Sequence, residues 1–141
     1  MKNLLTFLFI GLLSMAINAQ DKIAKIEFKD TTIDYGTIEK GADGLRVFEF
    51  TNTGDAPLII SKVTASCGCT IPKKPKDPIM PGAIGKIEVK YDTNRVMPFR
   101  KTITVVSNAE TPKTAIKIKG TVIDPSKISI LDKKEKSIMA Q

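Results

Sequence analysis

The chain has 141 residues, 22 basic and 15 acidic side chains, a formal net charge of +7 and no histidine. The absence of histidine excludes every mechanism that uses an imidazole as the general base, including serine–histidine–aspartate triads and cysteine–histidine pairs. A chain of this length suits one domain with a real hydrophobic core, and its basic residues are scattered through the sequence rather than gathered in one arm.

The first 19 residues have the pattern of a secretory signal peptide. Lys2 precedes an apolar run over residues 4–13, and the small residue Ala19 ends the segment at a site suited to signal peptidase. The apolar run is too short to span a bilayer comfortably, so we predict cleavage after Ala19 and no stable membrane anchor afterwards. The sequence therefore predicts an exported protein that is periplasmic or secreted.

Beyond the leader, apolar and polar residues alternate with the period of a β-strand, and no amphipathic helix is predicted. The predicted fold class is all-β, an Ig-like β-sandwich of about seven strands. The predicted strands cover residues 23–28, 33–38, 45–51, 58–63, 84–91, 100–107 and 114–123. The side chains expected to face the core include Phe48, Phe50, Ile87, Val89, Tyr91, Ile103, Val105, Ile116 and Ile118.

Three segments in the middle of the chain have distinctive composition. Residues 58–63 form a near-continuous apolar run, which predicts a central strand covered on both faces. Residues 71–82 contain four prolines and are predicted to form a loop, with at most one extended edge segment. Between strands, we expect Asn52 to bond the turn backbone through its side-chain amide and Gly54 to take a positive φ.

The predicted organisation is a signal peptide over residues 1–19, a sandwich domain over 23–123 and a tail over 124–141. The tail carries the charged run at residues 133–136, so we expect a flexible, solvated end. Residues 127–131 are the alternative place for one more short strand.

Several short motifs occur in a characteristic order along the mature chain. They are residues 34–38 (DYGTI), 48–54 (FEFTNTG), 57–60 (PLII), 66–70 (SCGCT), 81–82 (PG), 85–89 (GKIEV), 101–105 (KTITV) and 107–108 (SN). This order resembles the exported bacterial Ig-like family catalogued as the domain of unknown function fifteen-seventy-three, which is related in architecture to Hydin-type and major-sperm-protein-like sandwiches. The resemblance implies the fold and the exported compartment, but it implies no activity.

Cys67 and Cys69 are the only cysteines of the chain, and Gly68 separates them. In an extended strand their Cα atoms would lie about 6.6 Å apart, close to the limit of about 6.8 Å for a disulfide. A positive φ at Gly68 would bring them closer. Three interpretations stay open: a local disulfide formed in an oxidising compartment, two inert packed thiols, and a redox or soft-metal site.

A metal site would need suitable ligands around this pair. Two thiolates satisfy linear Cu(I), whereas tetrahedral zinc takes four donors and the chain has no histidine. Met80 and Met97 could add thioether sulfur, although filling the core or capping a loop is the simpler role for a methionine. We therefore predict no metal and no other cofactor, with Cys67 and Cys69 as the candidate ligands if a metal binds.

The remaining polar residues suggest no catalytic site. Ser66 and Thr70 flank the cysteines, but as nucleophiles they would need a buried lysine base. The nearby Lys62, Lys73 and Lys74 stand in a polar context. The aspartates are spread through turns and form no recognisable pair, at positions Asp30, Asp34, Asp43, Asp55 and Asp77.

The sequence thus favours an exported binding or structural module of the cell envelope without catalytic activity. We expect it to contact partners through strand edges or through the proline-rich residues 71–82. Envelope proteins and anionic envelope polymers are the expected partners, and nucleic acid is not, because there are few aromatic residues to stack on bases. The alternative is a thiol–disulfide redox or Cu(I)-binding protein that uses Cys67 and Cys69.

Overall fold

The computed structural model describes residues 21–127 and confirms the predicted β-sandwich. The predicted signal peptide and residues 128–141 of the predicted tail lie outside the described residues. Eight strands, rather than about seven, form two layers: β1 (Ile26–Phe28), β2 (Thr32–Glu39), β3 (Leu45–Asn52), β4 (Ile60–Ala65), β5 (Thr70–Lys73), β6 (Ile84–Tyr91), β7 (Pro98–Ser107) and β8 (Lys113–Ile123).

Each layer is a sheet of four strands. The first sheet has the order β1-β3-β6-β5 and the second sheet has the order β2-β8-β7-β4. Neighbouring strands are antiparallel except for β2, which pairs with β8 in parallel. Within residues 21–127, no helix is both long enough and apolar enough to cross a membrane.

The core lies between the two sheets and consists of the side chains that alternate inward along each strand. All nine residues predicted to face the core are buried. Phe99 adds an aromatic contact between the layers, because its ring stacks on the Tyr91 ring with centroids 3.8 Å apart. Full burial of each large apolar side chain contributes about 1.5–3 kcal/mol, so this facing surface holds the layers together.

The prediction of a central strand at residues 58–63 is wrong. The strand begins at Ile60 and lies at an edge of the second sheet. Leu58 instead forms an isolated bridge with Ile79, in the loop that connects β5 to β6. The apolar run is nearly continuous because the chain passes there from one layer to the other, not because both faces of one strand are covered. Ile59 and Lys62 are exposed.

Asn52 has the structural role that the sequence predicts for it. Its Oδ1 accepts hydrogen bonds from the backbone N–H of Lys25 at 3.3 Å and of Gly54 at 3.0 Å. Its Nδ2 donates to the backbone carbonyls of Ala56 at 2.8 Å and Ile79 at 2.9 Å. The side chain is fully buried with each of these polar atoms paired. It therefore joins the start of the described chain, the β3–β4 turn and the proline-rich loop.

Gly54 does not take the positive φ that we expected, since only Gly36, Gly41 and Gly82 do so among the described glycines. It is needed for space instead. A Cβ atom at this position would lie 2.2 Å from the backbone oxygen of Ile23. The chain before β1 therefore runs against the backbone of the β3–β4 turn.

Candidate functional site

The two cysteines lie where the chain crosses from the second sheet to the first. β4 ends at Ala65 and β5 begins at Thr70, so residues 66–69 form the connection. We call these four residues the cysteine turn. A hydrogen bond of 3.4 Å from the Thr70 N–H to the Cys67 carbonyl closes it.

Backbone hydrogen bonds anchor the cysteine turn to both layers. The Ser66 N–H donates to the carbonyl of Thr102 on β7 at 2.9 Å. The Cys69 carbonyl accepts from the N–H of Asp92, directly after β6, at the same distance of 2.9 Å. The turn thus has a fixed place at one end of the sandwich, beside the β6–β7 loop.

The sulfur atoms of Cys67 and Cys69 are joined at 2.02 Å, with their Cα atoms 5.4 Å apart. Gly68 does not bring them together by a positive φ, so that prediction is wrong. The β-turn itself shortens the separation relative to an extended strand. Which form the pair takes in the protein's own surroundings stays a prediction.

The two cysteine residues differ in their exposure to solvent. The Cys69 residue is buried at 6% relative exposure, whereas Cys67 is only half-buried. The buried hydroxyl of Thr70 lies 3.9 Å from the Cys67 sulfur and 4.0 Å from the Cys69 sulfur. An approaching thiol would therefore meet Cys67 first, and one hydroxyl contacts both sulfur atoms.

Charged groups lie close to the cysteine turn. Asp92 accepts a hydrogen bond from the Asn94 N–H at 3.2 Å and contacts Arg95 at 3.3 Å. The Asn94 backbone bond is the main cause of a lowered Asp92 pKa, so this carboxylate is ionised at neutral pH. On the other side, Lys101 is the neighbour along β7 of Thr102, whose carbonyl accepts from the Ser66 N–H.

The described residues offer little for a metal. Met80 and Met97 are both exposed, so of the two simpler roles considered for them, filling the core and capping a loop, the first does not apply. Met97 lies in the β6–β7 loop, where its carbonyl accepts from the Val122 N–H. Met80 precedes β6, whose eight residues place it about 25 Å away at the opposite end. No group of three or more histidine, cysteine, aspartate and glutamate side chains suited to a metal occurs within residues 21–127.

The other residues weighed as catalytic have structural contacts. The Ser66 hydroxyl accepts from the Thr102 N–H at 3.3 Å. The Lys74 amino group donates to the Ile60 carbonyl at 2.8 Å, and Lys73 pairs with Glu88 at 3.3 Å. None of these contacts joins a lysine to the Ser66 hydroxyl.

Among the aspartates, Asp34 and Asp43 each accept a bond from the backbone N–H two residues ahead, at 2.8 and 2.9 Å. The Gly36 backbone bond, followed by Lys119, lowers the Asp34 pKa. These are the contacts of turn-forming residues rather than of a pair of catalytic carboxylates.

The outer face of the first sheet carries a feature that sequence reasoning missed. Four apolar side chains point outward from it with high relative exposure: Leu45 (40%), Val47 (41%), Ile71 (68%) and Ile84 (63%). The charged residues on the same face balance, with lysines at 73, 86 and 90 and glutamates at 27, 49 and 88. Two of these lysines form ion pairs, Lys73 with Glu88 and Lys86 with Glu49.

The fold and the cysteine turn define a class of protein: a two-layer β-sandwich with a closely spaced cysteine pair at the crossover between its layers. The chain belongs to the family described as proteins of unknown function (DUF1573), whose model matches residues 26–122. The resemblance noted from the sequence motifs is thereby confirmed at the level of the family. No curated protein matches the chain.

Several solved structures are similar in fold. A protein of unknown function from Porphyromonas gingivalis W83 is 19% identical with a TM-score of 0.65, covering 76% of this chain and 50% of that one. The ASH/PapD-like domain 7 of human CEP192 is 12% identical with a TM-score of 0.55, covering 78% and 97%. A chain of the CsuC–CsuE chaperone–tip adhesion subunit pre-assembly complex of Acinetobacter baumannii is 12% identical with a TM-score of 0.52. The match covers 70% of this chain and 57% of that one.

At these identities the similarity shows the fold alone. This chain spans only half the length of the Porphyromonas gingivalis protein. The activities and partners of these proteins are therefore not carried over to it.

Proposed function

We propose that this protein is an exported, non-catalytic binding module of the cell envelope that holds a protein partner on the outer face of its first sheet. The observation that carries the proposal is the cluster of Leu45, Val47 and Ile71 on that face, which we call the apolar cluster. Exposed apolar side chains that lie together among paired charges are typical of protein–protein contact surfaces.

The strand register brings the apolar cluster together. Leu45 of β3 and Ile71 of β5 both pair with Lys90 of β6, from opposite sides. Strands lie about 4.8 Å apart, so these two side chains are about 10 Å from each other, with the aliphatic part of Lys90 between them. Val47 lies two residues along β3 from Leu45 and faces the same way. The apolar surface thus extends over three strands.

The cysteine turn gives Ile71 its position. β5 has only four residues, and Ile71 follows Cys69 by two positions. Because so short a strand is held by few ladder bonds, its place depends on the turn that begins it. The Cys67–Cys69 bond closes that turn, and the Cys69 carbonyl ties it to the end of β6. In this function the cysteine pair is a local brace for the binding face.

Docking on the sheet face fits the structure better than strand addition at an edge. Edge strands that are short, bulged or interrupted by proline resist pairing with another chain. β1 has three residues, β2 has an irregularity between Asp34 and Thr37, and β5 contains Pro72. On β4, the amino group of Lys74 occupies the Ile60 carbonyl.

A pull-down from the envelope fraction with matched variants tests this proposal. The face variant is Val47→Asp/Ile71→Asp. The control is Ile59→Asp/Met80→Asp, which introduces the same two negative charges at exposed apolar positions elsewhere. We expect the wild type and the control to retain the same partner protein, and the face variant to recover at least tenfold less of it. Recovery of no partner at physiological salt would contradict the proposal, as would equal recovery by the face variant.

Thiol–disulfide exchange is the second candidate function, and the unequal exposure of the two cysteine residues favours it. A thiolate of a partner dithiol would attack the Cys67 sulfur, break its bond to Cys69, and release Cys69 as a thiolate that takes up a proton. The partner's second thiolate would then attack the partner sulfur of the mixed disulfide and release Cys67. The partner is oxidised by two electrons, and the Cys67–Cys69 pair is reduced by two.

The loop length supports an exchangeable bond. A disulfide that encloses one residue restricts the unfolded chain little, so it stabilises the fold less than a bond across a long loop. Thiol titration in defined redox buffers tests this function: a potential above about −300 mV supports exchange, and one well below it marks an inert bond. Loading the reduced protein with Cu(I) tests whether the same site binds a soft metal, and the Cys67→Ser/Cys69→Ser variant is the control.

A further inference from the structure

The outer face of the second sheet is strongly cationic, in contrast to the balanced face of the first. Its basic side chains are Lys62, Arg100, Lys113, Lys117 and Lys119. Its only acidic side chains within residues 21–127 are Asp34 and Glu39, and both lie on the edge strand β2. The excess basic charge is therefore concentrated on one surface, although the sequence shows it as scattered.

The centre of this surface brings like charges together. Arg100 on β7 and Lys119 on β8 are direct cross-strand partners, and Lys117 lies two residues away on the same face. Like charges directly opposite each other in a sheet are destabilising. Asp34 pairs with Lys119 at 3.0 Å, but within residues 21–127 neither Arg100 nor Lys117 forms an ion pair. Two cations are thus left without a counter-charge.

The cations surround a concave site with hydroxyl groups beside it. Thr32, Arg100, Lys117 and Lys119 line a shallow depression of about 190 Å³. Rows of hydroxyl side chains continue across the sheet from this depression, namely Thr64, Ser66, Thr102 and Thr104. Together these hydroxyls and cations offer both charge and hydrogen bonds to a ligand that lies across the strands.

We propose that this face, which we call the cationic face, binds a linear anionic polysaccharide. The composition of the face selects this occupant. Within residues 21–127 no aromatic side chain points outward from it, so single-stranded nucleic acid would lack stacking platforms. In the same described part of the chain, the apolar side chains that point outward from its strands are Val106, Ala115 and Ile123, too few to form the apolar centre of a protein interface or to insert into a lipid surface. Sugar hydroxyls and repeated acid groups match the threonines and the lysines.

Binding of immobilised polygalacturonate, a linear polyuronate, tests the proposal. The face variant is Arg100→Gln/Lys117→Gln/Lys119→Gln. Its control is Lys73→Gln/Lys86→Gln/Lys90→Gln, which removes the same charge from the first sheet. We expect the face variant to bind at least tenfold more weakly than wild type and the control to bind within threefold of it. Affinity should fall as salt rises, because screening weakens contacts between exposed charges.

A gain-of-function variant makes the test independent of losses through misfolding. Asp34→Asn removes the carboxylate that pairs with Lys119 and should strengthen binding severalfold. Parallel assays use neutral dextran, single-stranded DNA and vesicles with anionic lipid, all of which should bind more weakly than polygalacturonate. Equal weakening by the control, no gain with Asp34→Asn, or tighter binding to DNA or vesicles would overturn the proposal.

Discussion

Replacing Asn52 by aspartate tests the buried polar centre of the sandwich with almost no change of shape. The substitution keeps the oxygen that accepts from Lys25 and Gly54, but it replaces the Nδ2 donor by a second oxygen. The carbonyls of Ala56 and Ile79, now 2.8 and 2.9 Å from a donor, would then face an acceptor. Because the residue has 0% relative exposure, water cannot replace the missing donor.

The size of the effect follows from these contacts. A buried polar group left unpaired costs about 1–3 kcal/mol, and two carbonyls are affected. With the added cost of burying a carboxylate, we expect the free energy of unfolding to fall by roughly 3–5 kcal/mol. At about 4–8 °C per kcal/mol for a domain of about 100 residues, the melting temperature should fall by roughly 12–40 °C.

The deficit should depend on pH in a defined direction. Burial raises the pKa of the new carboxyl above its ordinary value of about 3.9, so the folded state of the variant binds more protons than the unfolded state. The stability of the variant therefore falls as pH rises above about 4, and levels off above the folded pKa. The deficit relative to wild type should be smaller at pH 4 than at pH 7.

Thermal and urea unfolding of both proteins at the two pH values is the assay. The control is Asn108→Asp, because Asn108 makes the same kinds of bond, to Pro57 and Ile59, but is exposed. It should lose no more than about 1 kcal/mol, since water can replace the lost donor. Equal losses in the two variants, or a deficit that grows on acidification, would refute the reasoning.

Four further substitutions test single contacts through unfolding measurements. Gly54→Ala should destabilise the protein by at least about 2 kcal/mol, because its Cβ would lie 2.2 Å from the backbone oxygen of Ile23; an unchanged melting temperature would contradict this. Gly68→Ala should change stability by less than about 1 kcal/mol, since a Cβ there meets no atom within 4 Å and the φ is ordinary; a loss of more than about 2 kcal/mol would refute it. Tyr91→Phe should be neutral or stabilising by up to about 1 kcal/mol, because the buried Tyr91 hydroxyl has no partner within residues 21–127. Tyr35→Phe should instead lose about 1 kcal/mol with its 2.9 Å hydrogen bond to a backbone carbonyl.

The sequence predicts most of the core, because alternation is a local property of each strand. Phe48 and Phe50 face inward and Glu49 faces outward, because successive side chains of a strand point to opposite sides of the sheet. This can be predicted without knowing which strand is the partner. The error at residues 58–63 has a physical cause. A chain that leaves one layer at Leu58 and enters the other at Ile60 is buried at both points. Without the strand pairing, this apolar run cannot be distinguished from a central strand that is covered on both faces.

The candidate surfaces were harder to predict, since they depend on register. Leu45 and Ile71 are 26 positions apart and meet only because both pair with Lys90. Their signal in the sequence was an apolar residue at an outward position, where a polar one is usual. The cysteine spacing restricted the chemistry of the pair, but the burial of Cys69 and the half-burial of Cys67 come from the surrounding fold.

Site-specific photo-crosslinking in intact cells tests the central claim, that the outer face of the first sheet binds a protein. A photoreactive residue placed at position 71 probes the apolar cluster, and one at Ala115 probes an exposed position on the second sheet. We predict a discrete protein adduct from position 71 and none from position 115. No adduct from position 71, or the same adducts from both positions, would contradict the claim.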